Sequence, residues 1–361
     1  MNSASPKSFL IAAGGTGGHV YPALSLASEL RSRGHDVAWI GTNRGIEKRL
    51  VPAADIKLYE IDVFGLRGKG LMEKLKSPFN LLRALRQSQK IIRDISPNVL
   101  VGFGGFVAGP AGVAAKICSV PLVIHEQNAR AGTTNKLLSR IASRVLSAFP
   151  DALQNAEVVG NPVRTELVQL APSIVCSKNK AERVRLLVVG GSLGAKFLNE
   201  VMADALALID STKRPEIRHQ CGERWLDECV NAYKAVDVEA EVLPYIDNMA
   251  EAYSWADFLV CRSGAMTVAE VAAVGVPALF IPFPFAIDDH QTANAKWLVD
   301  QGGARLVQQS QLTPEAMKAE IEFFLDSRQN LAAMAEKNRA AAITGATARI
   351  SAICEELADV A

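Results

Sequence analysis

Apolar and polar positions fall into a repeating order along the first half of the chain. Short apolar runs at 9–13, 37–41, 57–61, 99–103, 122–125 and 144–147 read as buried strands. Stretches at 22–33, 46–51, 78–95, 109–118 and 134–141 carry apolar residues at helical spacing. The second half starts again. Strand-like runs at 183–189, 217–221, 240–244, 258–261, 278–281 and 305–307 alternate with helical stretches at 224–235, 246–255, 265–274 and 290–301, after a first helix that reaches about residue 209. Helices at 313–325, 329–342 and 347–358 follow. Such alternation predicts an α/β fold of two Rossmann-like, doubly wound parallel sheets. A charged, loop-like join runs from 160 to about 183. Two such halves are expected to face each other across a cleft, with ligands at the carboxyl ends of their strands.

Each half opens on a glycine loop between a strand and a helix. The first reads G-G-T-G-G-H at 14–19, the second G-G-S-L-G-A at 190–195. Strand, glycine loop and helix leave backbone N–H groups unpaired and converging, a trap for negative charge. His19 is the group in the first loop that titrates near neutral pH. The bland alternative makes it a helix-start residue bonded to backbone. A dinucleotide site fails on detail: the third fingerprint glycine is missing after Gly15-Thr16-Gly17, and no acidic residue ends the second strand. No GK[ST] sequence is present, which excludes a P-loop.

Other strand ends add polar groups. G-F-G-G-F (102–106) follows the fourth strand, and H-E-Q-N-A (125–129) the fifth. Glu126 and Asn128 read as partners for sugar hydroxyls, or Glu126 as a helix cap. In the second half, R-S-G-A-M-T-V-A-E (262–270) pairs a helix start suited to a diphosphate with Glu270, a carboxylate in apolar company. Its plain alternative is a solvated helix face. P-F-P (282–284) leads into D-D-H-Q-T-A-N (288–294), again at a strand end.

Composition narrows the classes. The chain has 361 residues, 49% of them hydrophobic, enough for two cores. A net charge of +1 argues against nucleic acid. Six cysteines stand apart with no zinc-like spacing, as expected of reduced thiols in a cytosolic protein. The leader MNSASPKS lacks an apolar h-region, so no secretory signal is expected. The most apolar region, 99–124, is broken by glycines and prolines and does not read as a membrane span.

Taken in order, G-G-T-G-G-H-V-Y-P, G-F-G-G-F-V-A-G-P, H-E-Q-N, G-N-P-V-R (160–164), G-G-S-L-G-A, R-S-G-A-M-T-V-A-E and D-D-H-Q-T-A-N-A resemble the MurG family of bacterial UDP-N-acetylglucosamine transferases. The resemblance spans both halves and implies the GT-B fold. Its domains would be an acceptor domain at 1–163, a UDP-sugar domain at 164–343, and a helix at 344–361 returning to the first. It implies that Thr16, Gly17 and Gly18 face the donor UDP-GlcNAc, that Asn128 and Gln291 contact its sugar, and that Arg164 and Ser192 meet the nucleotide side. Ile246 would meet the uracil through its backbone. Ala265, Met266, Thr267, Val268, Ala269 and Glu270 would hold diphosphate and ribose. Gly104 and Gly105 fall on the acceptor side. His19 matches the family's proposed general base, with Glu126 a second candidate. The family pattern varies at 288–291, where His290 stands beside Gln291.

The implied reaction converts lipid I to lipid II: the C4 hydroxyl of the muramic acid residue attacks the anomeric carbon, UDP leaves, and configuration inverts. Asp-x-Asp is absent, so helix N-termini and loop amides are expected to stabilise the leaving diphosphate, with no metal and no cofactor. A lipid-linked acceptor implies a peripheral protein on the cytoplasmic face of the cell membrane. The basic, apolar stretch 64–93 suits an anionic membrane surface, with Lys74, Lys76, Arg83, Leu75, Phe79 and Leu82 as contacts. Other cell-wall synthesis proteins are implied as further partners. A diacylglycerol glycosyltransferase, a UDP-N-acetylglucosamine 2-epimerase and a non-catalytic UDP-sugar-binding module remain as alternatives.

Overall fold

The computed structural model describes residues 5–63, 71–170, 183–191 and 193–360, with backbone alone at 71–78 and 287. The chain divides into two compact units, Met1–Val163 with Ile343–Ala361, and Arg164–Ala342. Unit 1 runs β1 (Ser8–Ala12), α1 (Gly17–Ser32), β2 (Asp36–Gly41), α2 (Glu47–Ala53), β3 (Lys57–Glu60), α3 (Leu71–Ile95), β4 (Val99–Gly102), α4 (Gly105–Ile117), β5 (Leu122–Glu126), α5 (Thr133–Leu138), β6 (Arg144–Ser147) and β7 (Glu157–Val158). Its sheet has the order β3-β2-β1-β4-β5-β6-β7, parallel throughout. The order reverses between β1 and β4, which is where a doubly wound sheet opens a crevice.

Strand β1 shows why this sheet is buried on both faces. Phe9, Ile11 and Ala13 join a core with Val20, Leu26 and Leu30 of α1, while Leu10 and Ala12 join another with Val107 and Ala111 of α4. Side chains alternate across a strand, so a continuous apolar run serves two helix layers.

Unit 2 runs α6 (Thr165–Val168), β8 (Arg185–Val189), α7 (Lys196–Ala207), β9 (Glu216–Gln220), α8 (Leu226–Ala235), β10 (Glu241–Leu243), α9 (Met249–Trp255), β11 (Phe258–Cys261), α10 (Ala265–Val274), β12 (Ala278–Phe280), α11 (His290–Val299), β13 (Ala304–Leu306), α12 (Pro314–Leu325) and α13 (Arg328–Ala341). Its parallel sheet has the order β10-β9-β8-β11-β12-β13, with the reversal between β8 and β11.

The last helix, α14 (Ala346–Val360), belongs to unit 1. Ile350, Ile353, Cys354 and Ala358 lie on one face and are buried in the core that holds α1 and β1. Each isoleucine so buried contributes roughly 1.5–3 kcal/mol. Polar ties flank that stripe: His35 Nε2 and Arg33 Nη1 each lie 3.0 Å from Glu355, Arg349 bonds Glu157 at 2.7 Å, and Lys7 reaches Asp359 and the Ala358 carbonyl.

Two helices begin earlier than their proline-led patterns predict. α1 starts at Gly17 and α4 at Gly105, each five residues before its proline, Pro22 or Pro110. Proline favours the first helical turn, so sequence reading places the start there. The glycines before it are helical nonetheless, and Thr16's carbonyl accepts from His19 N at 3.1 Å and Val20 N at 3.2 Å. His19 therefore sits in the first turn of α1. Two short elements, β7 and α6, were not expected: neither Glu157–Val158 nor Thr165–Val168 is long enough to show a period.

Candidate active site

In unit 1 the loops after β1, β4 and β5 gather at the switch point. His19 is half-buried rather than sealed in a core. Its ring lies against the second glycine loop: a Cβ on Gly104 would stand 3.4 Å from His19 Cε1, and one on Gly105 would stand 3.4 Å from Cδ2 and 2.9 Å from the Gly14 carbonyl. Both glycines have positive φ, +86° and +73°, so the approach needs residues without a side chain. His19 Nδ1 is 2.8 Å from Gln127 Oε1. Thr16 and Gly18 are exposed and Gly17 half-buried, at the amino end of α1 where the first amides have no helix partner.

Glu126 does not fit the role of a second base. It is buried, and its carboxylate accepts from Asn128 N (3.0 Å), Asn128 Nδ2 (3.1 Å), Gly132 N (3.0 Å) and Asn135 Nδ2 (2.9 Å). Those donors come from the loop 127–132 and the helix behind it. Glu126 shapes that loop, and through it presents Asn128.

Glu47, which sequence reading missed, organises the first loop. It is fully buried; Oε2 accepts from Gly15 N at 3.0 Å, and Oε1 from Thr42 N at 3.1 Å and Thr42 Oγ1 at 2.8 Å. Gly14, Gly41 and Gly45 crowd it so closely that a Cβ on any of them would clash. A cluster of glycines around one acid was the available signal.

In unit 2 the glycine loop after β8 and the start of α10 flank the switch point. Gln220, buried at the end of β9, ties the loop: Oε1 accepts from Gly191 N, and Nε2 donates to the carbonyls of Gly191 and Pro244, all at 3.1 Å. This bond also fixes the chain entering Ile246, which lies outside helix α9, since Asn248 caps that helix by accepting from Glu251 N at 3.1 Å. Ser192 lies outside the described residues.

The start of α10 carries Ser263, whose hydroxyl is buried with no hydrogen-bond partner, and Gly264 as N-cap. Met266 and Thr267 occupy the first turn, where amides lack a helix carbonyl. Val268 has its side chain in the core, and its amide donates to the Gly264 carbonyl at 2.9 Å. Ala269 lies a residue further in, where the helix supplies the acceptor. Arg262 braces the next loop, donating to the carbonyls of Ile281 and Pro282 (3.1 Å each) and to Gln309 Oε1 (2.8 Å); burial lowers its pKa to about 10.

Glu270 is not on a solvated face. Its side chain is 14% exposed, Tyr253 donates to Oε2 at 3.1 Å, and Arg164 Nη2 stands 3.5 Å from Oε1. Burial raises its pKa, and Arg164 and Tyr253 pull the other way. Gln291 accepts from Phe283 N at 2.8 Å through Oε1, which fixes its side chain at the start of α11.

On the outer side of α3, Phe79, Leu81 and Leu82 are exposed, with Phe79 at 79%, while Ala84, Ser88 and Ile92 turn inward. Arg83 is exposed and pairs with Asp62 at 2.8 Å. The side chains of Lys74, Leu75 and Lys76 lie outside the described residues. Among the described residues no helix is long and apolar enough to cross a membrane.

Known proteins carry the same pattern. Residues 9–147 match the glycosyltransferase family 28 N-terminal domain and residues 185–350 its C-terminal domain. The chain is 47% identical over 360 residues to a Burkholderia thailandensis protein named UDP-N-acetylglucosamine--N-acetylmuramyl-(pentapeptide) pyrophosphoryl-undecaprenol N-acetylglucosamine transferase, covering 99% of this chain and 98% of that one. A Dechloromonas aromatica protein of the same name is 46% identical, covering 98% and 99%. The crystal structure of Acinetobacter baumannii MurG superposes with a TM-score of 0.85 at 40% identity, covering 97% of this chain and all of that one. The calicheamicin glycosyltransferase CalG4, at 18% identity and a TM-score of 0.69, shares the fold. Two parallel-sheet α/β units of this kind make the GT-B fold, and the chain belongs to glycosyltransferase family 28 and, within it, to the MurG group.

Proposed function

We propose that this protein transfers N-acetylglucosamine from UDP-N-acetylglucosamine to the C4 hydroxyl of the muramic acid residue in a pyrophosphoryl-undecaprenol acceptor, the step from lipid I to lipid II. The carrying observation is 46–47% identity, over nearly the whole chain, to two proteins named for this transfer. The site's chemistry supports it. His19 has Nδ1 engaged and Nε2 available to take the proton of an attacking hydroxyl. Attack on the anomeric carbon proceeds through an oxocarbenium-like transition state with inversion, so no protein nucleophile forms a bond.

The nucleotide falls to unit 2. The diphosphate gains charge as it leaves, and the start of α10 offers amides, the positive end of a helix dipole and the unpartnered Ser263 hydroxyl. Glu270, largely buried and already paired with Tyr253 and Arg164, takes the two ribose hydroxyls as further donors. Asn128 and Gln291 contact the sugar, Arg164 the nucleotide side, and Gly104 and Gly105 the acceptor.

UDP release measured with lipid I, with diacylglycerol, and with no acceptor tests the reading. Release with lipid I alone is expected. Release with diacylglycerol, free 2-epimerised sugar, or binding without release would each replace it. The acceptor's lipid places the protein peripherally on the cytoplasmic membrane face, with α3 toward anionic headgroups. Vesicle binding should then require anionic lipid, weaken with salt, and fall by about 1 kcal/mol for each of Lys74, Lys76 and Arg83 neutralised. Equal binding to neutral vesicles would remove that part.

A further inference from the structure

We propose that Gln127 and His125 are positioning residues for His19. A one-way chain of hydrogen bonds, from the His19 ring to the Gly160 carbonyl, holds His19 as its Nδ1–H tautomer with Nε2 open. The inference rests on His19 being the base.

The direction of the chain follows from its far end. His125 Nε2 is 2.8 Å from the Gly160 carbonyl oxygen. A carbonyl only accepts, so Nε2 carries the hydrogen. His125 is fully buried, and burial lowers its pKa to about 4, which keeps the ring neutral. A neutral ring protonated at Nε2 has a lone pair at Nδ1. That atom is 3.0 Å from Gln127 Nε2, which also lies 2.8 Å from the His125 carbonyl oxygen. Two acceptors face this end of the Gln127 amide, so it is the NH2 end, and both its hydrogens are used. The other end is therefore oxygen, 2.8 Å from His19 Nδ1. An amide oxygen only accepts, so His19 Nδ1 carries the hydrogen and Nε2 is the lone-pair nitrogen.

The frame around the chain is rigid. Gln127 is 1% exposed, and Asn161 Nδ2 donates to its backbone carbonyl at 3.1 Å. Gly160 has φ +83°, and a Cβ there would lie 2.7 Å from the Ile343 carbonyl. Residues 160 and 161 of G-N-P-V-R thus serve the imidazole, while Arg164 of the same motif meets Glu270 in unit 2. An amide between two imidazoles sets a tautomer without adding a charge, in contrast to the carboxylate of a Ser-His-Asp triad.

Nitrogen-15 NMR of histidine-labelled protein reads the tautomers directly, and the chain has five histidines to assign. In the unaltered protein His19 should be protonated at Nδ1 and His125 at Nε2. In Gln127→Met, of similar volume and without the amide, His19 should move toward the Nε2–H form that free histidine prefers. Turnover should fall about 10–100-fold, the scale of lost orienting partners, with KM for the nucleotide sugar unchanged. A His19 proton found on Nε2 in the unaltered protein, or a tautomer unmoved in Gln127→Met, overturns the proposal. The unaltered spectrum decides even if the variant fails to fold. The base reading fails separately, if His19→Ala keeps its turnover while the tautomers are as stated.

Discussion

The glycine loop after β1 is tied down by a carboxylate, and the one after β8 by an amide. Glu47 accepts three hydrogen bonds, one of them from Gly15 N, so a loop amide is already spent on a buried anion. Gln220 accepts from Gly191 N and donates to the Gly191 carbonyl, which is neutral bookkeeping. Under the function proposed above, the two anchors suit different work: a loop that already holds a carboxylate suits an uncharged alcohol beside an imidazole, and a neutral anchor adds no negative charge to the unit whose α10 takes the diphosphate. Sequence reading, seeing glycines in both, treats them as equivalent phosphate cradles.

Substitutions can break this division. His19→Ala has the largest expected effect: turnover lower by about 10²–10⁴, with donor KM little changed, in the UDP-release assay. A matched loss in both parameters would move the donor toward unit 1. Glu270→Ala should do the opposite. UDP binding by calorimetry should weaken roughly 10- to 100-fold, the scale of a charged hydrogen bond left unmade, with the chemical step nearly intact once donor saturates. Acid should weaken both units through one buried histidine each. His125 has its pKa lowered to about 4 and His219 to about 3, both by burial, against about 6.5 unfolded. Below pH 6.5 the unfolded chain binds more protons, so stability falls with pH, by about 2 kcal/mol per histidine on reaching pH 5. Denaturant midpoints at pH 7.5 and 5 check this, and a flat profile would contradict the burial of both rings. Glu47→Gln should cost about 1–3 kcal/mol in the same melts, because its NH2 group must face a backbone or hydroxyl donor. No loss of stability would mean that the carboxylate does not anchor the loop.

Apart from β7, the strands of both sheets were legible from apolar runs, because the central strands, buried on two faces, leave an unbroken signal. The starts of α1 and α4 were not: glycines hide the helical turn that precedes each proline. Within the site, His19, Glu270 and the glycine loops stood out by type and position. Gln127 was passed over between Glu126 and Asn128, whose charge and polarity drew attention. Period-two alternation would have sorted them, since His125 and Gln127 bond each other while Glu126 and Asn128 bond each other. Glu47 and Gln220 act singly at the ends of α2 and β9, and Tyr253 singly from within α9, so no repeated spacing marks them.

The return of α14 to unit 1 sets an order of birth for the molecule. As the chain leaves the ribosome, α1 and β1 emerge first, yet Ile350, Ile353 and Cys354, which cover them, are made only after all of unit 2. The nascent protein therefore spends most of its synthesis with a greasy face open, the condition under which chains stick to chaperones or to one another.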